Sequence, residues 1–335
     1  AREMQSRLGY PTTDMAAKMV GTAIVDCRVS ADDLHRADII HGPAVEGLKG
    51  RTTQPTPRAA NFAVDPTEPS GRTRQVAHID IMFVSKVAIL VAVLKPSNFG
   101  ITVPLWKGRG AASVAKGIHT MMAEAAAEGH QVSTLYSDSE GAVGAMRSEL
   151  ATQGVKLEVC GPAQHVHVAE RRIRLLKERI RIHTHKLPYV MDPIMIAWCA
   201  VFCGGRVNMQ FSADHPSGPT PFEQFYRRKV DVKRDLRHSF GEYAQVVTPN
   251  TNNTQAPRTR SCILLTPTGN STGTSIMLHL TTGELVRGDH WTVLTVPDVV
   301  INALNARAAK AGVTRGDDPT RNDAWRESDA PTDED

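Results

Sequence analysis

Three β-rich runs crowd together in VAHIDIMFV (76–84), VAILVAVL (87–94) and GITVPLW (100–106). The breaks between them, Ser85-Lys86 and Lys95–Phe99, have room only for turns, so neighbouring runs pair as antiparallel hairpins. The texture then changes to alternation: a helix from Gly110 to about Glu128, a strand in QVSTLYSD (131–138), a helix over Gly141–Gln153 and a strand in VKLEV (155–159). A basic helix and an apolar helix, Pro193–Val207, follow. Hairpin strands followed by alternating α and β predict an α/β fold, a mixed sheet with helices on both faces.

Around that core the chain divides further. Residues 1–57 read as a small helical segment, with Thr12/Thr13 and Ser30 as helix caps. A Pro- and Thr-rich linker over 58–75 leads into the core, assigned to 76–211. A basic connector, 212–240, holds six Lys or Arg between Arg227 and Arg237. Residues 241–298, with SCILL, TSIMLHL, ELVRG and HWTVL set between turns, predict a C-terminal small β-barrel domain. A last helix and a disordered acidic tail complete 299–335.

The tail matters for charge. The net +4 of the 335 residues includes three Arg against eight acids in 315–335, which leaves residues 1–314 at +9. A basic body with an acidic tail suits a polyanionic partner. Five scattered cysteines, without a CxxC pair, point to a reducing compartment, and no apolar run is long enough to cross a bilayer. The start at Ala-Arg-Glu is compatible with a piece cut from something larger.

Three acids stand where packing does not ask for them. Asp80 interrupts an apolar strand, where a charge has to be paired, metal-bound or neutralised. Asp138 ends a strand, a common place for function in α/β sheets. Glu170 opens HVHVAERRIRLLKERIRIHTHK (165–186), a helix with seven Lys or Arg against two acids from Glu170 to Lys186. At about 100° per residue, Arg174, Lys177 and Arg181 lie within roughly 40° of Glu170, while Ala169, Ile173, Leu176 and Ile180 form a separate apolar stripe. An acid in the first strand, one ending the fourth and one on a later helix match the order of an RNase H-like two-metal site. Such a site wants carboxylates because magnesium and manganese prefer oxygen ligands.

The same residues resemble the integrase region of copia-type retrotransposon polyproteins, over roughly residues 7 to 310. HIDIMFV is similar to the strand with the first catalytic Asp, here Asp80; TLYSDSEGAV to the segment with the second, here Asp138; HVHVAERRIRLLKERIR to the helix with the catalytic Glu, here Glu170. PTPFEQFYRRKVD and LTTGELVRGDHWTVL resemble the segments after the core, and RLGYPTTDMAAKMV the short segment before it. The resemblance implies an RNase H-like integrase core that binds two Mg2+ or Mn2+ ions through Asp80, Asp138 and Glu170. It implies end processing and strand transfer of element DNA into target DNA. It also implies a homo-oligomer and action in the nucleus of a eukaryotic host. Arg171, Arg174, Lys177, Arg181, Arg227, Arg228 and Lys229 are the candidate DNA contacts.

Several features depart from the family pattern. Cys27, His35 and His41 lack the Cys pair of the family's N-terminal zinc site, so zinc is not expected. Ser139-Glu140 follows Asp138 in place of Asn-Gly, and Glu140 is itself a possible ligand. The departure after Asp138 motivates a competing reading, a decayed or domesticated DNA-binding scaffold; a plain nuclease on the same fold is a third. GRGAAS (108–113) lacks the third Gly of a dinucleotide fingerprint. Cys199 and Cys203, at i and i+4 in an apolar helix, read as core thiols. His165 and His167 read as loop polarity, and His78 shares a strand face with Asp80.

Overall fold

The computed structural model describes residues 1–41, 73–137, 141–159, 167–212, 216–247, 259–270 and 272–314. The linker up to residue 72, Asp138 with Glu140, His165 and the acidic tail from 315 therefore lie outside the described residues.

The N-terminal segment contains α1 (Arg2–Arg7), α2 (Thr13–Thr22), β1 (Ile24–Val25) and α3 (Ala31–His41). Thr12 caps α2 by accepting from Met15 N at 3.3 Å. Ser30 and Asp33 cap α3 reciprocally, Ser30 N donating to Asp33 Oδ2 at 2.9 Å and Asp33 N to Ser30 Oγ at 3.2 Å.

The three crowded runs form β2 (Thr73–Val84), β3 (Val87–Lys95) and β4 (Phe99–Leu105). Val84 pairs with Val87, so β2 and β3 are joined by Ser85 and Lys86 alone, both with left-handed φ of 45° and 66°. That is the two-residue turn whose twist matches the strands it joins. After α4 (Ala111–Ala127), β5 (His130–Ser137) lies parallel to β2, and after α5 (Gly141–Gly144) and α6 (Arg147–Thr152), β6 (Lys156–Val159) lies parallel to β5. The sheet order is β4-β3-β2-β5-β6, with β2 at its centre.

Side chains alternate between two covered faces. Ala77, Ile79, Leu90 and Leu94 pack with Val114, Ile118 and Met121 of α4. Met82, Val84, Ile89 and Val91 face the other way, against Leu176 and Ile180 of α7 (His167–Lys186) and against α8 (Pro193–Asn208). β3 is buried at every position but its ends, which accounts for its unbroken apolar run. α8 starts at Asp192, which accepts from Met195 N at 2.7 Å, with Pro193 at the first helical position.

Beyond α8 come α9 (Pro221–Tyr226), β7 (Val230–Asp231) and α10 (Val232–Asp235). β7 pairs in parallel with β1, and Phe222, Val230 and Leu236 share a core with Leu8, Met19 and Leu34. The second sheet consists of β8 (Tyr243–Val247), β9 (Thr259–Pro267), β10 (Ser275–His279), β11 (Leu285–Gly288) and β12 (Trp291–Leu294). It is antiparallel throughout, in the order β11-β10-β9-β8-β12. No pairing between β11 and β12, which would close the expected barrel, occurs among the described residues. One face, with Tyr243, Ile263, Leu265 and Leu278, joins the core around α8 and takes in Leu304 of α11 (Asp298–Lys310). The β-rich region thus shares its core with the two helices that cover the central sheet.

Candidate active site

Asp80 occupies the central strand, two residues before Met82 and therefore on the face that α7 and α8 cover. Its partner across the hairpin is Val91. The side chain is half-buried, and its Oδ1 accepts from Ile81 N at 2.7 Å, which fixes the carboxylate plane. On β5, Ser137 is in register with Ile79, so the described part of that strand ends one residue before Asp138 and beside Asp80.

α7 packs across β2 and β3. Ala169, Leu176 and Ile180 are buried and Ile173 packs against the core, a stripe that buried Arg179, Ile182 and His183 widen towards the end of the helix. Glu170, in the first turn, is 42% exposed, with Oε2 3.7 Å from His167 Nδ1. Arg171 and Arg174 are exposed, and Lys177 and Arg181 are half-exposed. The N-terminal dipole favours an acid at Glu170 whatever its further role.

Sequence periodicity missed that two of the helix's cations turn inward. Arg172 donates to the Gly204 carbonyl at 3.3 Å and to Asn208. Arg179 donates to the Tyr10 carbonyl and to Gln210. Burial pulls the Arg172 guanidinium down to about 10. The two residues are seven apart and flank the apolar stripe, a helical-wheel position that was visible in the sequence.

Beside Asp80 on the same face, His78 stacks on Tyr136 with ring centroids 5.2 Å apart. Burial first, and Lys95 second, hold this imidazole below its ordinary pKa. Among the described residues, no group of three or more His, Cys, Asp or Glu is arranged to hold a metal ion. Asp80 and Glu170 are thus the two described members of the expected set, and its third member, Asp138, lies outside the described residues. Cys199 and Cys203 are buried, unbridged thiols in α8, and Cys27 donates to the Val29 carbonyl at 3.4 Å. An open cavity of about 510 Å³ lies elsewhere, lined by Arg7, Lys233, Arg237 and His290 among others, and by neither Asp80 nor Glu170.

The second basic region sits differently. Arg227 is exposed and closes α9 with a left-handed φ of 53°. Arg228 donates to both oxygens of buried Asp235, at 2.6 and 2.9 Å. Lys229 reaches the Thr22 carbonyl at 2.8 Å, and Arg237 reaches those of Gly273 and Asp289, each at 2.7 Å.

Neither a protein-family model nor a curated protein matches the chain. Among solved structures it is similar to the catalytic core domain of BIV integrase, with 20% identity, 45% of this chain and 93% of that chain covered, and a TM-score of 0.36. A second is a chain of the simian T-cell lymphotropic virus intasome in complex with PP2A regulatory subunit B56 gamma, at 12% identity, 68% and 83% coverage and a TM-score of 0.35. A third is the HTLV-2 integrase catalytic core domain in complex with magnesium (trimeric form), at 13% identity, 46% and 96% coverage and a TM-score of 0.35.

Proposed function

We propose that the chain is an integrase-type polynucleotidyl transferase of the copia retrotransposon kind, built on an RNase H-like sheet. It processes the 3′ ends of element DNA and joins them to target DNA. The observation that carries this reading is the register at the sheet centre: Asp80 stands on β2 one residue past Ile79, the partner of Ser137 at the end of β5, and Asp138 follows Ser137 in the chain. The helix with Glu170 crosses β2 and β3 on the side that Asp80 faces.

The donor set suits a hard divalent ion. Asp80, Asp138 and Glu170 offer only carboxylate oxygens, the ligands that Mg2+ and Mn2+ prefer, and Asp80 is already oriented by the Ile81 N–H. Two bound divalent ions would supply activation of the attacking oxygen and stabilisation of the leaving one in an in-line displacement at phosphorus. The chain's own cations supply the rest. Arg171, Arg174, Lys177 and Arg181 hold the DNA backbone along the outer side of α7, with Arg227 as a contact at the second basic region. Glu170 and the cations along α7 are exposed or half-exposed, as contact with a duplex requires, and two element ends call for a homo-oligomer. The place of action is the nucleus of a eukaryotic host.

A labelled duplex end, incubated with plasmid and Mn2+, tests the proposal, with Asp138→Asn as control. Joined product that disappears in the variant is the expected result. Cleavage without joining would make the chain a nuclease, and DNA binding with neither reaction would make it a scaffold.

A further inference from the structure

Arg172 stands two residues after Glu170 yet belongs to neither the exposed stripe nor the apolar one. Its Nη2 donates to Asn208 Oδ1 and to the Gly204 carbonyl, both on α8. Asn208 in turn holds both backbone groups of Gly100, accepting from its N at 2.8 Å and donating to its O at 2.8 Å. Gly100 is in register with Val93, and Val93 with His78, two residues along β2 from Asp80. A Cβ at Gly100 would overlap the Arg172 guanidinium, so the missing side chain makes room for it. One guanidinium therefore ties the start of α7 to the end of α8 and the start of β4.

The first turn of α7 buries little apolar surface. The large anchors Ile173, Leu176 and Ile180 begin one turn later, and before them only Ala169 is fully buried. A single methyl group contributes little burial energy. Enclosing a guanidinium is meanwhile costly compared with an apolar side chain of the same size, and Arg172 Nε is sealed without a partner. A charge retained at such a place calls for a role that packing alone does not give.

We propose that Arg172 is a positioning residue that, through Asn208 and Gly100, sets the first turn of α7 and aims Glu170 at the divalent-ion site. This rests on Glu170 being a metal ligand, as in the function proposed above. The guanidinium touches neither DNA nor ion in this role. Both bonds leave one terminal nitrogen, Nη2, carried at the end of a rigid plane.

The test is a Mn2+ titration of the full chain, followed by electron paramagnetic resonance of the free ion, with thermal melting alongside. Arg172→Met roughly keeps the apolar length and removes the guanidinium that makes both bonds. It is expected to weaken Mn2+ binding about tenfold, as loss of an orienting partner does, without lowering the melting point. Gly100→Ala displaces the guanidinium without deleting it and is expected to weaken binding similarly. Glu170→Gln gives the loss due to the ligand itself. If Glu170→Gln weakens binding while Arg172→Met and Gly100→Ala bind as the parent does, the positioning role is overturned and Glu170 keeps its own. If Glu170→Gln binds Mn2+ as tightly as the parent, the metal-ligand reading fails and takes this proposal with it. Should Arg172→Met not fold, Gly100→Ala decides alone.

Discussion

The two basic regions of the molecule, α7 and the run from Arg227 to Arg237, look alike in sequence and differ in where their cations point. On α7, Arg171, Arg174, Lys177 and Arg181 keep to the exposed or half-exposed side. In the later run, Arg228 serves Asp235, Lys229 serves the Thr22 carbonyl, and Arg234 and Arg237 serve carbonyls of the β-rich region. Arg237 also lies over the Trp291 ring, 4.0 Å from its centroid. The difference teaches that a cluster of positive charge makes a ligand surface by facing solvent, and makes a fastening by reaching across to segments distant in the chain. The later run fastens the N-terminal helices to the β-rich region; α7 turns Arg172 and Arg179 inward and presents Arg171, Arg174, Lys177 and Arg181 outward.

The largest effect that separates them is on stability. Asp235 is 3% exposed and takes both bonds from Arg228. Arg228→Met leaves that buried carboxylate with only the Asp231 N–H at 2.9 Å and the Arg234 Nε at 3.9 Å, which costs at most about 3–5 kcal/mol. Urea unfolding measures this, and the salt dependence of DNA binding by the folded variant should stay unchanged. A variant of parental stability that binds DNA less steeply with salt would reverse the comparison.

The same segment predicts a pH effect. His238 is fully buried, its Nδ1–H donating to the Ser239 carbonyl and its Nε2 accepting from Ser275 Oγ, each at 2.9 Å. That arrangement uses the neutral ring. Burial, joined by Arg206, Arg237 and Arg7, lowers its pKa to about 3 from 6.5. Above 6.5 neither the folded nor the unfolded state protonates this ring, and stability does not depend on it. Between 6.5 and 3 the unfolded chain binds the extra proton, so stability falls as pH falls, by about 1.4 kcal/mol per pH unit. Urea midpoints from about pH 6.5 down to about 5, above most carboxylate titration, measure the slope. His238→Asn should flatten it; an unchanged slope would assign the effect to other groups.

On α7 the expected effect is the reverse, on DNA and not on the fold. Arg174→Gln, Lys177→Gln and Arg181→Gln combined should lower the slope of log affinity against log salt by about 2 to 3, at about 0.9 for each phosphate no longer neutralised. Stability in urea should stay within about 1 kcal/mol of the parent's, since surface changes do little. An unchanged salt slope would leave α7 as a solvated surface.

How much of this was legible follows from locality. Ser85-Lys86 announced a hairpin because a two-residue break permits nothing else, and the α7 stripe of Ala169, Leu176 and Ile180 announced its buried side by period alone. The inward turn of Arg172 was not legible. Periodicity gives an angle around a helix, but the space at Gly100 is a tertiary fact from another strand. Likewise β1 and β7 pair Ile24 with Val230, a contact no local pattern encodes. The fastening by Arg228 and Arg237 was not legible for the same reason: their acceptors come from chain reversal or from other segments.

The smallest expected effect falls on Arg227, whose position in its run leaves both readings open to test. It is exposed, and it holds a left-handed conformation that disfavours a side chain. Arg227→Gly relieves that strain and adds unfolded-chain entropy, a net gain of about 0.5 kcal/mol. Arg227→Gln keeps the strain and removes the charge. If Arg227 contacts a phosphate, both variants lower the salt slope by about 0.9, and only the glycine changes the urea midpoint. If neither moves the slope, the whole run from Arg227 to Arg237 is an internal fastening, and the outward charge of α7 has no counterpart there.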